Sequence, residues 1–541
     1  MGPFNGHARP RNDRDIGTWF AKCRGRRISP RPTPTAAWVR EAMLRRFVSE
    51  KYGGVVMTVM DRRDFIRRAG VTAAGLATMA GPMQAIFARS ALAAGSTGVA
   101  PNNGGYGPLV PIRDKTDGAV RLHLPRGFNY RSFSYTGTLT DDGVILPGRH
   151  DGMASFKVSP GRYRLVRNHE VNGPGPAFGD ASKAYDAMAR GGTTTLDVAP
   201  KAQNYRAWVS ANGTQMNCAG GGMPWGSWVT AEETVNGPDV GPDFTGGDNT
   251  LLEEQHGYIF EVRARWGIGE YERPVPIRSA GRFAHEAVDI DPASGVLYQT
   301  EDNFNFPSGF YRYIAPQNPM RVRELRDGGE LQMLKIKGQD NAVLDKGQTP
   351  GVTYDVEWVT IDEPDTTFPV GTTNDQAIVF VGDQGRAKGA AIFSRLEGIF
   401  ADRGKIYLVS TQGGDTPPGE PAPSGYGDGY GQLWVYDTRA ETLTLLFESP
   451  SRTVLELPDN MCISPKGSSL LCEDGPVENY LRGVTPKGGL FDFALNAIPQ
   501  RQGEEFAGST FTPDGRMLFV NIQAENALTF AIWGPFAKGA L

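Results

Sequence analysis

"DIDPASGVLYQTEDN", residues 289–303, opens on an Asp-Pro-Ala-Ser-Gly turn, continues as a short apolar run, and closes on two adjacent carboxylates, Glu301 and Asp302. Pro and Gly set the backbone angles of a hairpin-like turn, and Val296, Leu297 and Tyr298 favour pleated pairing. The same plan recurs in "FADRGKIYLVSTQGGD" (400–415), "ISPKGSSLLCEDG" (463–475), "FTPDGRMLFVNIQ" (511–523) and, more loosely, "GMPWGSWVTAEET" (222–234). Helical periodicity is scarce after residue 94. Short strands, dense turns and an irregular repeat of roughly 50 to 70 residues suit a β-propeller better than a sandwich, because blades tolerate long insertions between strands. The predicted fold is all-β, a propeller of about six blades with long inter-strand loops.

In a propeller the equivalent strand ends converge on the central channel. Glu232 and Glu233, Glu301 and Asp302, and Glu473 and Asp474 close three of the five repeated strands, and Asp415 follows a fourth. Two readings of these pairs stand: caps of solvated turns, or a funnel of carboxylates whose mutual repulsion is relieved by cations. Their repetition favours the funnel.

The chain has 541 residues, 39% hydrophobic, with 69 glycines and 39 prolines, enough apolar side chain for a large, turn-rich core. Residues 57–93 look like a twin-arginine signal peptide: Arg62-Arg63 precedes an apolar run rich in Ala and Gly, which ends at an Ala-Leu-Ala cleavage site. Residues 1–56 are basic and irregular, and the expected translation start is Met57 or Met60. The catalytic propeller is assigned to 94–541, where no apolar run reaches membrane-spanning length. Residues 1–93 hold 17 of the 56 basic and 6 of the 60 acidic residues, so 39 basic and 54 acidic residues remain beyond them, a net charge of −15. That excess argues against nucleic acid as a partner. The expected setting is periplasmic or secreted, reached through the Tat export machinery, with the protein a monomer.

Beyond the leader the cysteines are Cys218, Cys462 and Cys472, an odd number for an oxidising compartment. A lone thiolate among carboxylates makes a mixed soft and hard ligand set, suited to iron or zinc at sulfur and calcium at oxygen. Metal binding would also keep Cys218 out of a disulfide. An inert buried thiol is the alternative. Cys462 is expected to face Ser469 or Leu470 across a hairpin, which disfavours a bridge to Cys472. Neither His169-Glu170 nor His285-Glu286 extends to H-E-x-x-H, so both histidines read as hydrogen-bonding residues, either of the core or behind the metal ligands. Residues 236–250 and 413–431 read as mobile rims.

The segments "NCAGGGMPWGSWVTAEET", "GRFAHEAVDID", "FSRLEGIF", "PDNMCISPKGSSLLCEDG", "NYLRG" and "EFAGSTFTPDGRMLFVNIQ" resemble the PhoX-type alkaline phosphatases, iron- and calcium-dependent β-propeller enzymes. The resemblance runs from about Asn168 to Phe536. It implies hydrolysis of small phosphate monoesters at a cofactor of two Fe3+ ions and several Ca2+ ions joined by a bridging oxo or hydroxide, the family's proposed attacking group. Residue by residue, it implies metal ligands at Cys218, Glu233, Glu286 and Glu397, with Glu473 and Glu505 on the calcium side. Arg395, in Arg395-Leu396-Glu397, is similar to the family's catalytic, phosphate-gripping arginine, and Arg482 resembles a second phosphate contact. Two other functions stay open on the residues alone: a non-catalytic, calcium-stabilised binding propeller, and a calcium-dependent propeller lactonase.

Overall fold

The computed structural model describes residues 103–486 and 488–541. The signal peptide assigned to 57–93 and the segment 1–56 lie outside the described residues.

Six strands, His150–Ser159, Asn217–Met223, His285–Ile290, Leu396–Asp402, Pro458–Ile463 and Phe506–Phe511, each begin a blade. Each packs against the next, and the sixth returns to the first, so they form a closed ring around a channel. Successive antiparallel strands extend outward from each, as in Pro458–Ile463, Ser469–Glu473, Tyr480–Val484 and Leu490–Asn496 of blade five. This is the six-bladed, all-β propeller that the repeated turn-strand segments predict. Blades three and four form one nine-stranded sheet, because Thr353–Thr360 pairs with Glu330–Ile336 on one side and Thr442–Glu448 on the other.

The ring is closed by chain from the N-terminal side. Asn129–Phe133 pairs with Leu528–Trp533 and completes blade six, while Val120–Pro125 pairs with Leu490–Asn496 of blade five. Each pairing joins segments more than 350 residues apart, so closing the ring at these edges carries the entropy cost of a long loop. Apolar cores fill the space between blades. Tyr298, Phe310, Trp434 and Tyr436 pack between blades three and four, and Phe491, Phe493, Phe506 and Phe530 between blades five and six. Among the described residues, helices are confined to short pieces such as Asn374–Ile378, which opens on a Thr373/Gln376 capping box. No helix among them is long and apolar enough to cross a membrane.

Cys462 pairs in register with Leu470, and both Cys462 and Cys472 are buried free thiols. His169 bonds Gly148 O and Thr194 Oγ1, and His285 bonds Gly281 O, so both are core residues. The segment 236–250 is pinned: Asp243 accepts from Asn172, Asn236 and Thr245, and Asn249 reaches back to Asn236. Short polar side chains that look like a loose loop in sequence are here spent on fixing one.

Candidate metal and phosphate site

All six blades open alike. His150 pairs with His169, Asn217 with Glu232, His285 with Glu301, Leu396 with Ser410, Pro458 with Glu473, and Phe506 with Ile522. Just after this opening, every one of these ladders shifts register. A bulge bends the strand and re-aims a side chain out of the sheet. In blades one to five the residue released by the bulge is Asp151, Cys218, Glu286, Glu397 or Asp459. In blade six the ladder runs one pair further, Ala507 with Asn521, before it shifts, and the acid there is Glu505, just ahead of the strand.

Small residues follow the released ligands because the ring is tight. A Cβ on Gly152 would lie 2.7 Å from Ala219 Cα, and one on Gly398 2.5 Å from Asp459 O. Carbonyls freed by the bulges are met by side chains of the preceding blade: Asn168 donates to Cys218 O and Ala219 O, Thr300 to Glu397 O, and Asn521 to Asp151 O.

A second tier of acids comes from the residue after the paired second-strand end in blades one, two, three and five, namely Glu170, Glu233, Asp302 and Asp474. Apart from Asp151, the residues of both tiers line one cavity of about 730 Å³ at a mouth of the channel. Three ligand triplets lie along it: Cys218, Glu233 and Glu286; Glu286, Glu397 and Asp459; and Asp459, Asp474 and Glu505. Within each triplet one donor atom per residue falls within 4.8 Å of the others. Glu286 and Asp459 each belong to two triplets, so the three sites share ligands in a continuous series.

Burial pushes Glu233, Glu286 and Glu505 well above the usual carboxylate range, and the charge of neighbouring acids adds to it. The Cys218 thiol is raised for the same reasons. Glu286 Oε1 and Asp151 Oδ1 are buried without a hydrogen-bond partner. Buried acceptors left unpaired are costly, and this many acids crowded together repel one another when ionised unless counter-charge sits among them. The donor set therefore fits cations: oxygen throughout, with sulfur at one end.

Two arginines flank the acids, each directly before an inner strand and each in left-handed backbone conformation, Arg149 at φ 47° and Arg395 at φ 40°. Strain of this kind in non-glycine residues persists where surroundings over-determine it. Arg395 forks onto Asp302, with Nε 3.1 Å from Oδ1 and Nη2 2.9 Å from Oδ2, and Nη2 lies 2.8 Å from Glu397 Oε1. Arg149 donates through Nη2 to Glu170 Oε2 at 2.5 Å and to Gln523 Oε1 at 3.0 Å. Among the described residues, Nη1 of each arginine has no protein acceptor.

Of the residues singled out in the sequence, Cys218, Glu233, Glu286, Glu397, Glu505 and Arg395 line this cavity. Glu473 and Arg482 do not. Glu473 is the ladder-paired member of its acid pair and points into blade five, where it accepts from Glu456 N, Tyr480 N and Arg482 Nε at 2.8–3.0 Å. Arg482 is held between Glu473 and Asp492. Their places at the mouth are taken by Asp474 and Arg149. Sequence reasoning also passed over Asp459, which belongs to two of the triplets, and Asp151, whose Oδ1 is buried unpaired in the same ring. A six-fold alignment of the blade openings would have shown them, each an acid followed by a small or short polar residue, Asp151-Gly152 and Asp459-Asn460.

The family model described as "Alkaline phosphatase PhoX" matches residues 104–208 and 201–525. Among solved structures, the chain is similar to Pseudomonas fluorescens PhoX in complex with vanadate, a transition state analogue. That match has 17% identity and a TM-score of 0.57, and it covers 80% of this chain and 98% of that one. Weaker likenesses, both with a TM-score of 0.34 and 12% identity, are to virginiamycin B lyase from Staphylococcus aureus and to XC5397, a gluconolactonase from Xanthomonas campestris. They cover 75% and 80% of this chain and 99% and 98% of theirs, respectively. No curated protein matches the sequence significantly.

Proposed function

Because this chain belongs to the PhoX alkaline phosphatase family, a family of metal-dependent phosphatases, we propose that it is an exported phosphoesterase hydrolysing small phosphate monoesters at a mixed iron and calcium centre in the channel mouth. The observation that carries this reading is the convergence, in one cavity, of three ligand-sharing triplets and two braced arginines.

Cys218 with Glu233 and Glu286 forms the only triplet among the described residues that contains sulfur, and so the one suited to iron; the two all-oxygen triplets suit calcium. When bound, such ions supply Lewis acidity toward phosphoryl oxygens and activation of a water nucleophile. The chain's own part is to bind and orient. Arg395 is held in plane by Asp302 and Glu397, which leaves Nη1 for a phosphoryl oxygen. Arg149, braced by Glu170 and Gln523, offers a second such donor. Paired guanidinium contacts fix a tetrahedral dianion and stabilise charge on its equatorial oxygens as the leaving group departs. Because both side chains are pre-positioned, little ordering entropy remains to be lost on binding.

Hydrolysis of a chromogenic aryl phosphate by purified protein, before and after chelation, tests the reading together with metal analysis. Cys218→Ser is expected to lose iron, retain calcium and drop kcat at least about 100-fold; full activity after exhaustive chelation would refute a metal-centred reaction. Export is supported by the Arg62-Arg63 pattern. Changing both to Lys should leave iron-loaded protein in the cytoplasm; recovery of only unfolded, metal-free chain there would count against export in the folded state.

A further inference from the structure

The mouth of this acidic cavity carries two phenylalanines, Phe244 and Phe304, that metal and phosphate binding leave unaccounted for. Phe244 is 84% exposed and Phe304 48% exposed. Neither sits on a slack loop. Phe244 follows Asp243, whose Oδ1 accepts from Thr245 N at 2.8 Å and whose Oδ2 accepts from Asn172 Nδ2 at 2.9 Å and Asn236 Nδ2 at 3.1 Å. Phe304 O accepts from Tyr426 N at 2.7 Å, and the Phe304 ring lies 5.1 Å from Arg395 Cζ. Two rings are therefore held in water by fixed backbone, one of them against the guanidinium assigned to phosphate.

In a phosphate monoester the phosphoryl group is met by arginines and cations, and only the leaving group projects outward, past these rings. Exposed aromatic faces beside a polar anchor are a receptor for another ring, because offset or edge-on packing recovers the apolar surface each exposes alone. We propose that Phe244 and Phe304 form a leaving-group subsite that selects phosphate monoesters bearing a planar aromatic ring, whether an aryl group or a nucleobase. This rests on the phosphatase reading above.

The test compares kcat/KM of metal-loaded wild type, Phe244→Ala and Phe244→Trp on phenyl phosphate, AMP and glycerol 2-phosphate. Phe244→Ala should lose about 5- to 20-fold in kcat/KM, through KM, on phenyl phosphate, AMP or both, with less than about twofold change on glycerol 2-phosphate, and Phe244→Trp should restore it. A loss confined to phenyl phosphate identifies an aryl group as the occupant, and one confined to AMP a nucleobase. Equal changes on all three substrates, or none on any, overturn the subsite while leaving the phosphatase reading intact. A wild type that cleaves none of the three overturns that reading and the subsite with it.

Discussion

Glu473 and Asp474 are neighbours in the chain and face opposite ways. The same holds for Glu232 and Glu233 and for Glu301 and Asp302. The first of each pair is buried in its blade: Glu232 accepts from Gln215 N, Gly257 N and Tyr258 N and bonds His256 Nδ1, and Glu301 accepts from Gly309 N and Tyr311 OH. The second faces the cavity. Side chains alternate across a strand, so adjacent acids must part company there, and the partners of the first acid decide which goes where. The acid pairs were legible in the sequence, but which member of each faces the cavity was not, and the family resemblance alone put Glu473 and Arg482 in the site. Arg482→Met leaves Glu473 buried without its cation and is expected to cost about 3–5 kcal/mol of stability. Denaturant melts should show that loss, while iron content and kcat of the folded fraction stay at wild-type values. A collapse of kcat at full metal load would return Arg482 to the site.

At the scale of the element, the decisive feature is a bulge after the opening pairs of the ladder in all six blades. In blades one to five it frees the second residue of an ordinary strand, an acid or Cys218, from the ladder, and the residue after it is small or short where the ring closes. Gly508 of blade six has φ +61°, and a Cβ there would lie 2.3 Å from Asp151 O. Gly508→Ala is therefore strained twice, in backbone and in space. It should destabilise the protein by about 1–3 kcal/mol and weaken metal binding by pushing the Asp151–Gly152 backbone, which lies against Cys218 and Ala219. Thermal melts and metal titration read the two effects, and an unchanged melt would mean that the inner ring has slack. Turn residues and β-branched runs made the strands readable from sequence. The bulges were not, because they arise from how inner strands crowd one another around the axis rather than from the composition of any one strand.

At the scale of the molecule, the site exists only when the ring is closed, since the triplet ligands come from blades two to six and the two arginines from blades one and four. Folding therefore gathers carboxylates that repel one another. Burial raises Asp459 to about 7, and Glu233, Glu286, Glu397 and Glu505 lie well above their ordinary values. In the unfolded chain these acids titrate near about 4. Between those limits the metal-free folded state binds more protons than the unfolded one, so its stability is greatest below about pH 4–5 with respect to these groups and falls as pH rises through 7. Cations bound in place of the protons remove that slope. Melting temperatures from pH 5 to 8 should fall for chelated protein and stay level for metal-loaded protein; parallel curves would mean that the acids hold no metal.

The sequence by itself determined the all-β propeller and named most of the side chains that meet at its mouth, because turn residues, pleat-forming strands and the Cys218, Glu286 and Arg395 motifs are local in the chain. Only the tertiary structure decided which acid of each adjacent pair serves the cavity, that Asp459, Asp474 and Arg149 belong to it, and that Phe244 and Phe304 stand at its rim. Those outcomes depend on strand register and on contacts between blades hundreds of residues apart, which no stretch of the chain encodes alone.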